Sequence, residues 1–374
     1  MRVLPENYWK KLWNVEEKDW KNWHWQVKNR IKNLSELEKI TGKDFSKEKI
    51  TEKVFKVGTT PYYLSLAKDF SKNDPIFRQI IPDTAEIDEK LQSYGSFDPF
   101  NEETLSPVEG LTHRYPDRVL FRATNFCSVY CRHCMRKRIF LEGEKARTYQ
   151  EYDRMFEYIK KNKNIKEVLI SGGDPLTLPN KKIGYILENL YRIEHIDIIR
   201  IGSRELVVNP FRFYDEKLLE LFEKYEKIWL VTHFNHPDEI TQETKQAVKN
   251  ILSTGTPVLN QTVLLKGIND NEKIMEKLMR SLLKVKIKPY YLFFCDPTKG
   301  VLHFKTSLKK GIRIMEYLRG RVSGLGIPTY AIDLPGGMGK VPLLPDYIVG
   351  EDENHIIFKN YEGKTVKVSK SYLI

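Results

Sequence analysis

The chain has 374 residues, 41% of them hydrophobic, which is enough for one large domain or two smaller ones with a real core and too apolar for a disordered protein. No apolar run approaches a membrane span and the start, Met1-Arg-Val-Leu-Pro5, lacks the apolar core of a secretory signal, so a cytoplasmic protein is expected. The net charge of +12 invites a nucleic-acid reading, but lysine interleaves with glutamate as in Glu272-Lys-Ile-Met-Glu-Lys277, the pattern of a solvated helix face, and neither nucleic acid nor membrane is expected as a partner.

Residues 1–105 read as a helical extension with tryptophans at 9, 13, 20, 23 and 25, a density that points to a docking element within the subunit or between subunits. From 106 to 340, apolar runs of strand length (Val119 to Phe126, Val168 to Ser171, Ile198 to Ser203, Ile228 to His233, Val258 to Leu265, Pro289 to Cys295) alternate with amphipathic helical patterns. The helices are expected at Tyr149 to Lys161, Lys181 to Tyr191, Asp215 to Tyr225, Pro237 to Leu252, Asn271 to Leu283 and Ser307 to Arg319. Six βα units in succession predict an α/β fold with a parallel sheet and right-handed crossovers, closed or partly closed into a barrel. Residues 341–374 form a third segment, which alternates in strand fashion from Tyr347 to Val368, with hairpins at Glu351 to Asn354 and at Glu362-Gly363.

Parallel barrels build their sites at the carboxyl ends of the strands. Polar groups follow the predicted strands there: Cys127, then Gly172-Gly173-Asp174, Arg204, His233 and Asp296. Three of the four cysteines fall in Cys127-Ser-Val-Tyr-Cys131-Arg-His-Cys134, a spacing that offers three thiolates and leaves one iron of a four-iron cluster open. A zinc site completed by His133, a disulfide pair or three small core residues are the alternatives at this stage. Cys295, in an aromatic run, reads as a small buried residue. The glycine-rich Asp333-Leu-Pro-Gly-Gly-Met-Gly-Lys340 is not a phosphate loop of the Walker type, because Val341 follows the lysine and the glycine spacing is wrong. By its residues alone it is an exposed turn with a surface lysine.

Many motifs in one order narrow these options: Asp19-Trp-Lys-Asn-Trp-His-Trp25, Gly110-Leu-Thr-His-Arg-Tyr-Pro-Asp-Arg118, the cysteine loop continuing into Met135-Arg-Lys-Arg138, Ser171-Gly-Gly-Asp174, Arg200-Ile-Gly-Ser-Arg204, Thr232-His-Phe-Asn-His-Pro237 and Pro335-Gly-Gly-Met-Gly-Lys340. Together they resemble the lysine 2,3-aminomutases of the radical S-adenosylmethionine (SAM) superfamily. That resemblance implies a partial (β/α)6 barrel and a 4Fe-4S cluster on Cys127, Cys131 and Cys134, whose open iron chelates the amino and carboxylate groups of SAM. It implies that Lys340 is the lysine bonded to pyridoxal 5'-phosphate (PLP) as an imine, with Arg114 and Arg118 for the PLP phosphate, and that Gly172, Gly173, His233 and Gln261 line SAM. It further implies Arg136 for the substrate carboxylate and Asp296 with Asp333 for a distal ammonium, hence conversion of L-lysine to β-lysine. An electron donor such as flavodoxin or ferredoxin and a homo-oligomer are implied as well. Arginine, ornithine or glutamate as substrate, and a zinc-binding interaction protein, are the competing readings.

Two departures stand out. Met338 replaces a glycine common in the loop of that family. The chain ends at Tyr372-Leu-Ile374 with Asn271 where clostridial members carry a zinc-binding cysteine, so no structural zinc is expected.

Overall fold

The computed structural model describes residues 12–141 and 143–373, so Trp9 lies outside the described residues. Nine strands form one sheet in sequence order: β1 Leu111–Tyr115, β2 Arg118–Thr124, β3 Glu167–Gly172, β4 Ile198–Gly202, β5 Ile228–Thr232, β6 Val258–Val263, β7 Lys288–Phe293, β8 Thr329–Asp333 and β9 Lys340–Pro342. The seven strands β2 to β8 are parallel, and β1 and β9 pair antiparallel at the two edges. No backbone ladder joins β1 to β9 among the described residues, so the sheet is a half-barrel, as the six-unit reading predicted, with β8 closing the sixth unit.

Six crossover helices separate the parallel strands: Tyr149–Lys161, Asn180–Tyr191, Glu216–Lys224, Gln242–Ser253, Glu272–Lys284 and Leu308–Leu318. Each buries one stripe. In Tyr149–Lys161 the buried residues are Tyr152, Met155, Phe156 and Ile159, at the spacing that puts them on one side of a helix. Five of the six start at a side-chain cap, on Thr148, Asp215, Thr241, Asn271 and Ser307. Asn271, the residue at the missing-cysteine position, accepts from the amides of Lys273 and Ile274 at 3.0 and 3.3 Å. The fourth helix was expected from Pro237 onward. It splits instead into a 3-10 turn, Pro237–Glu239, and a helix capped by Thr241, whose hydroxyl accepts from Thr244 N and ends the first turn's run.

Alternate strand residues face the helices. Val168 and Ile170 of β3, Ile199 and Ile201 of β4, and Leu230 of β5 belong to one continuous core with the helix stripes. Their neighbours, including Ser171, Gly202 and Gln261, face the hollow of the half-barrel.

The four described tryptophans of the amino-terminal region dock within the subunit. Trp20 and Trp23 are buried with Tyr62 and Phe211, and Trp13 and Trp25 pack against them. The Arg212 guanidinium lies 4.2 Å from the Trp23 ring. The helices of this region are short, from four to eight residues between Glu17 and Ser65, and from there to Leu105 turns and 3-10 segments replace the helices the sequence reading expected. The carboxyl-terminal segment is a separate antiparallel sheet of β10 Ile348–Glu351, β11 His355–Lys359 and β12 Thr365–Ser369, with both hairpins where the turn residues put them. No helix among the described residues is long and apolar enough to cross a membrane.

Candidate active site

The loop after β2 that carries the three cysteines is clamped onto the amino-terminal region. Tyr130 N donates to Gly58 O at 2.8 Å and Arg132 N to Gln79 O at 2.9 Å. The Arg132 side chain, 1% exposed, donates to both carboxylate oxygens of the equally buried Glu86 and to Lys56 O. Lys137 Nζ closes the cluster, 2.7 Å from Glu86 and 2.6 Å from Gly300 O. Burial pushes the Glu86 carboxyl up, but the two cations outweigh it and hold the group at about 2. Its contribution to stability is therefore present above the ordinary carboxylate range and lost as pH falls from about 4.5 toward 2. Glu86→Gln leaves two buried cations short of their counter-charge and is expected to cost about 3 kcal/mol in urea denaturation at pH 7.

All four cysteines are free thiols, so the disulfide alternative falls away. Cys127, Cys131 and Cys134 line one cavity of about 230 Å³ at the carboxyl ends of the strands. Cys295 is buried elsewhere, among Val263, Leu265, Ile268, Val301 and Phe304. Burial raises the thiols of Cys127 and Cys134, the latter to about 11, with the neighbouring cysteines adding to the rise. Protonated thiols packed this way need a metal to become thiolates. The donor set fits an iron-sulfur cluster with one open iron: three thiols, no fourth cysteine beside them, and an arginine hydrogen bond already on one sulfur. His133 has its Nε2 3.2 Å from Asn235 Nδ2, and its buried Nδ1 has no partner among the described residues.

The same cavity collects Gly172, Gly173, His233, Gln261, Arg136 and Asp296. Gly172 sits at φ +134°, and a Cβ there would lie 2.1 Å from Thr124 O; a Cβ on Gly173 would lie 2.3 Å from Phe126 O. The glycine pair thus lets the end of β3 press against the backbone that leads into the cysteine loop. Gly172→Ala is expected to force these backbones apart and to reduce iron incorporation at least severalfold, read as iron per chain after reconstitution. His233 is held neutral, at about 3, by burial and by the charge of Arg204, and its Nε2 is buried without a partner among the described residues. The buried hydroxyl of Thr232, also without a partner among the described residues, lines the same cavity, so two polar groups here are left for a polar ligand.

Lys340 and Asp333 form the rim. The glycine loop is the turn of the β8–β9 hairpin, whose register places Asp333 directly opposite Lys340. Lys340 Nζ lies 3.2 Å from Asp333, and Arg114 Nη2 donates to the same carboxylate at 2.9 Å. Arg114 Nε donates to Gly337 O at 3.0 Å, and Tyr115 OH accepts from Lys340 N at 3.0 Å, so β1 pins both ends of the loop. Gly337 is required at φ +78°, where a Cβ would sit 2.9 Å from Phe100 O. Met338 is 77% exposed and sits at φ −71°, a conformation open to any residue. Arg118 is not brought to the cavity: it opens β2 at the far end, paired with Asp117 and stacked 4.5 Å from the Tyr115 ring.

Asp296, on the loop after β7, is pushed up to about 7, first by burial and then by the charge of Asp333; Lys340 and Arg136 pull the other way. Arg136 donates from Nε and Nη2 to Glu102 at 2.6 to 3.0 Å, and Arg138 shares that carboxylate. Glu102 went unnoticed in the sequence because nothing in its loop sets it apart from other surface glutamates. Arg204 and Asp174 were visible only as polar groups after strands; Asp174 accepts from Arg204 N at 2.6 Å and from Ser203 Oγ at 2.7 Å, joining the ends of β3 and β4.

Residues 121–278 match the Radical SAM superfamily and residues 315–371 match Lysine-2,3-aminomutase. The chain is 52% identical to the "Putative L-lysine 2,3-aminomutase" of Aquifex aeolicus (strain VF5), over 95% of this chain and 96% of that protein. It is 42% identical to the L-lysine 2,3-aminomutase of Clostridium subterminale (94% and 84%) and 41% identical to the glutamate 2,3-aminomutase of Clostridioides difficile (95% and 84%). Radical SAM enzymes use a 4Fe-4S cluster, SAM and an electron donor, and the three-thiol cavity fits that requirement. With a cysteine loop at the mouth of a half-barrel and relatives matched along nearly its whole length, the chain belongs to the lysine 2,3-aminomutase family of radical SAM isomerases.

Proposed function

We propose that the enzyme uses PLP on Lys340 and moves the amino group of L-lysine from the α to the β carbon. The observation that carries this reading is the rim pair. Asp333 already holds a lysine ammonium, that of Lys340, and Asp296 lies near enough for the two carboxylates to repel. A site with two partly buried carboxylates of like charge favours a cation between them, and the distal ammonium of a lysine substrate is chemically the group Asp333 binds here. A glutamate side chain in the same place would add a third negative charge, at a cost of several kcal/mol. The glutamate-specific relative is as similar overall as the clostridial lysine enzyme, so identity does not choose between substrates; the acidic pair supports lysine.

When bound, the cluster and SAM supply a carbon radical able to remove a hydrogen atom, and PLP supplies a conjugated ring that spreads the resulting unpaired electron. This chain's residues do the rest. Asp296 and Asp333 fix the far end of the substrate. Arg136 presents Nη1, which Glu102 does not engage, to the α-carboxylate. Holding both ends sets which carbon faces SAM. Arg114, bonded to the glycine loop and to Asp333, keeps the loop in place and offers a cation for the PLP phosphate. Val231, Val263 and Phe293 line the cavity and keep water from a reactive intermediate.

Two measurements test this reading. Borohydride reduction of the PLP-loaded protein followed by peptide mass spectrometry is expected to find the added mass on Lys340; labelling of a different lysine removes the PLP assignment. EPR of the reduced, cluster-loaded enzyme with SAM, PLP and lysine is expected to show an organic radical, and silence under those conditions counts against the proposed chemistry.

A further inference from the structure

We propose that Arg204 is a positioning residue that sets the reduction potential of the cluster by donating a hydrogen bond to the sulfur of Cys131. Arg204 Nη1 lies 2.7 Å from Cys131 Sγ, and the residue is 8% exposed. The proposal rests on the assignment of Cys131 as a cluster ligand. Reduction adds an electron whose charge spreads over the iron and sulfur atoms, so a cationic N–H on a ligating sulfur favours the reduced form and raises the potential. Because the contact is partly buried, water and salt screen it less than they would on an open surface.

The guanidinium cannot swing to another acceptor. Nη2 is held by Tyr63 OH at 2.9 Å, Gln79 Oε1 at 2.6 Å and Glu239 Oε1 at 2.9 Å, and Nε donates to His233 O at 3.2 Å. These partners are themselves fixed. Tyr63 OH donates to Glu239 Oε1 at 2.6 Å and Gln79 Nε2 donates to the same oxygen at 3.0 Å, while Glu239 Oε2 accepts from the amides of Asn235 and His236. Gln79 also accepts from Arg132 N in the cysteine loop, so the amino-terminal region holds both the loop and the arginine that touches it.

Glu239 gives the arrangement a polarity. Its carboxylate lies behind the guanidinium as seen from the sulfur and partly cancels the positive charge the cluster feels. Removing the arginine and removing the glutamate should therefore move the potential in opposite directions. A residue that only ties β4 to the amino-terminal region would change stability, with no such reversal of sign.

The test is an EPR-monitored redox titration of the reconstituted full-length protein without SAM, on wild type, Arg204→Gln, Arg204→Lys and Glu239→Gln. At the wild-type midpoint, Arg204→Gln is expected to lower the ratio of reduced to oxidised cluster at least tenfold, about 59 mV for one electron. Arg204→Lys should fall between it and wild type, because charge remains near the sulfur without the fork. Glu239→Gln should shift the midpoint upward. Midpoints equal to wild type in Arg204→Gln and Glu239→Gln, or shifts of the same sign in both, overturn the proposal. If Arg204→Gln takes up no iron, Glu239→Gln decides alone: an upward shift supports the role, and an unchanged or lower midpoint overturns it. Iron and sulfide analysis of the wild type tests the cluster assignment separately, since a protein that binds neither fails there and not at Arg204.

Discussion

Cys131→Ala is expected to lower turnover by more than about a thousandfold, while Cys295→Ala is expected to keep both iron and activity. The two cysteines differ in where the fold puts them. Cys131 faces the cavity with Cys127 and Cys134 and receives the Arg204 hydrogen bond. Cys295 is 1% exposed in a small apolar cluster formed by the loops that follow β6 and β7. Two thiols do not hold a cluster that ordinarily takes four ligands, so iron per chain in Cys131→Ala should fall with the activity. In Cys295→Ala only a small cavity is left, worth on the order of 1 kcal/mol of stability. Iron content, activity and urea midpoints measured on the same preparations check both halves.

Asp296→Asn is expected to damage function and to stabilise the ligand-free protein. On the functional side, the variant loses one of the two carboxylates proposed to hold the substrate ammonium, and kcat/KM for lysine should fall by about 10²- to 10³-fold. On the stability side, burial and then Asp333 raise the Asp296 carboxyl to about 7, above its unfolded value. The folded protein binds that proton more tightly than the unfolded chain, so ionising Asp296 costs stability that is absent at pH 4, grows through pH 7 and is fully present above it. Asparagine removes the cost. The stability difference between variant and wild type should be near zero below pH 4, grow between pH 4 and 7, and level off above pH 7 at on the order of 4 kcal/mol, in favour of the variant. For the same reason the wild-type KM for lysine should fall as pH rises through 7, with a flat profile in the variant. A site that is unstable until its cation arrives is a common cost of binding one.

The parallel strands and crossover helices were legible because each helix carries its stripe at i, i+3, i+4 and most begin on Thr, Asp, Asn or Ser. The antiparallel edges were not. β1 has Gly110 before it and Pro116 after it, and β9 has only three residues, Lys340 to Pro342, too few to show alternation. The pairing of Asp333 with Lys340 depends on that unseen hairpin. The cysteine loop, glycine pair and strand-end aspartates were readable as chemistry from residue type and position. Their partners were not: Glu86, Glu102, Tyr63 and Gln79 come from turns and short helices far away in sequence, where a buried counter-ion looks like any exposed polar residue. Arg118 shows the opposite failure. It lies four residues from Arg114 in sequence, but the turn between β1 and β2 sends the two arginines to different surroundings, one onto Asp333 and the other onto Asp117.

The most direct test of the central claim is anaerobic turnover of the reconstituted enzyme with PLP, SAM and dithionite, offered lysine, arginine, ornithine and glutamate together, with products resolved by mass spectrometry after derivatisation. Formation of β-lysine ahead of every other product is the result predicted from the acidic rim; preferential conversion of glutamate, or of none of the four, would contradict it.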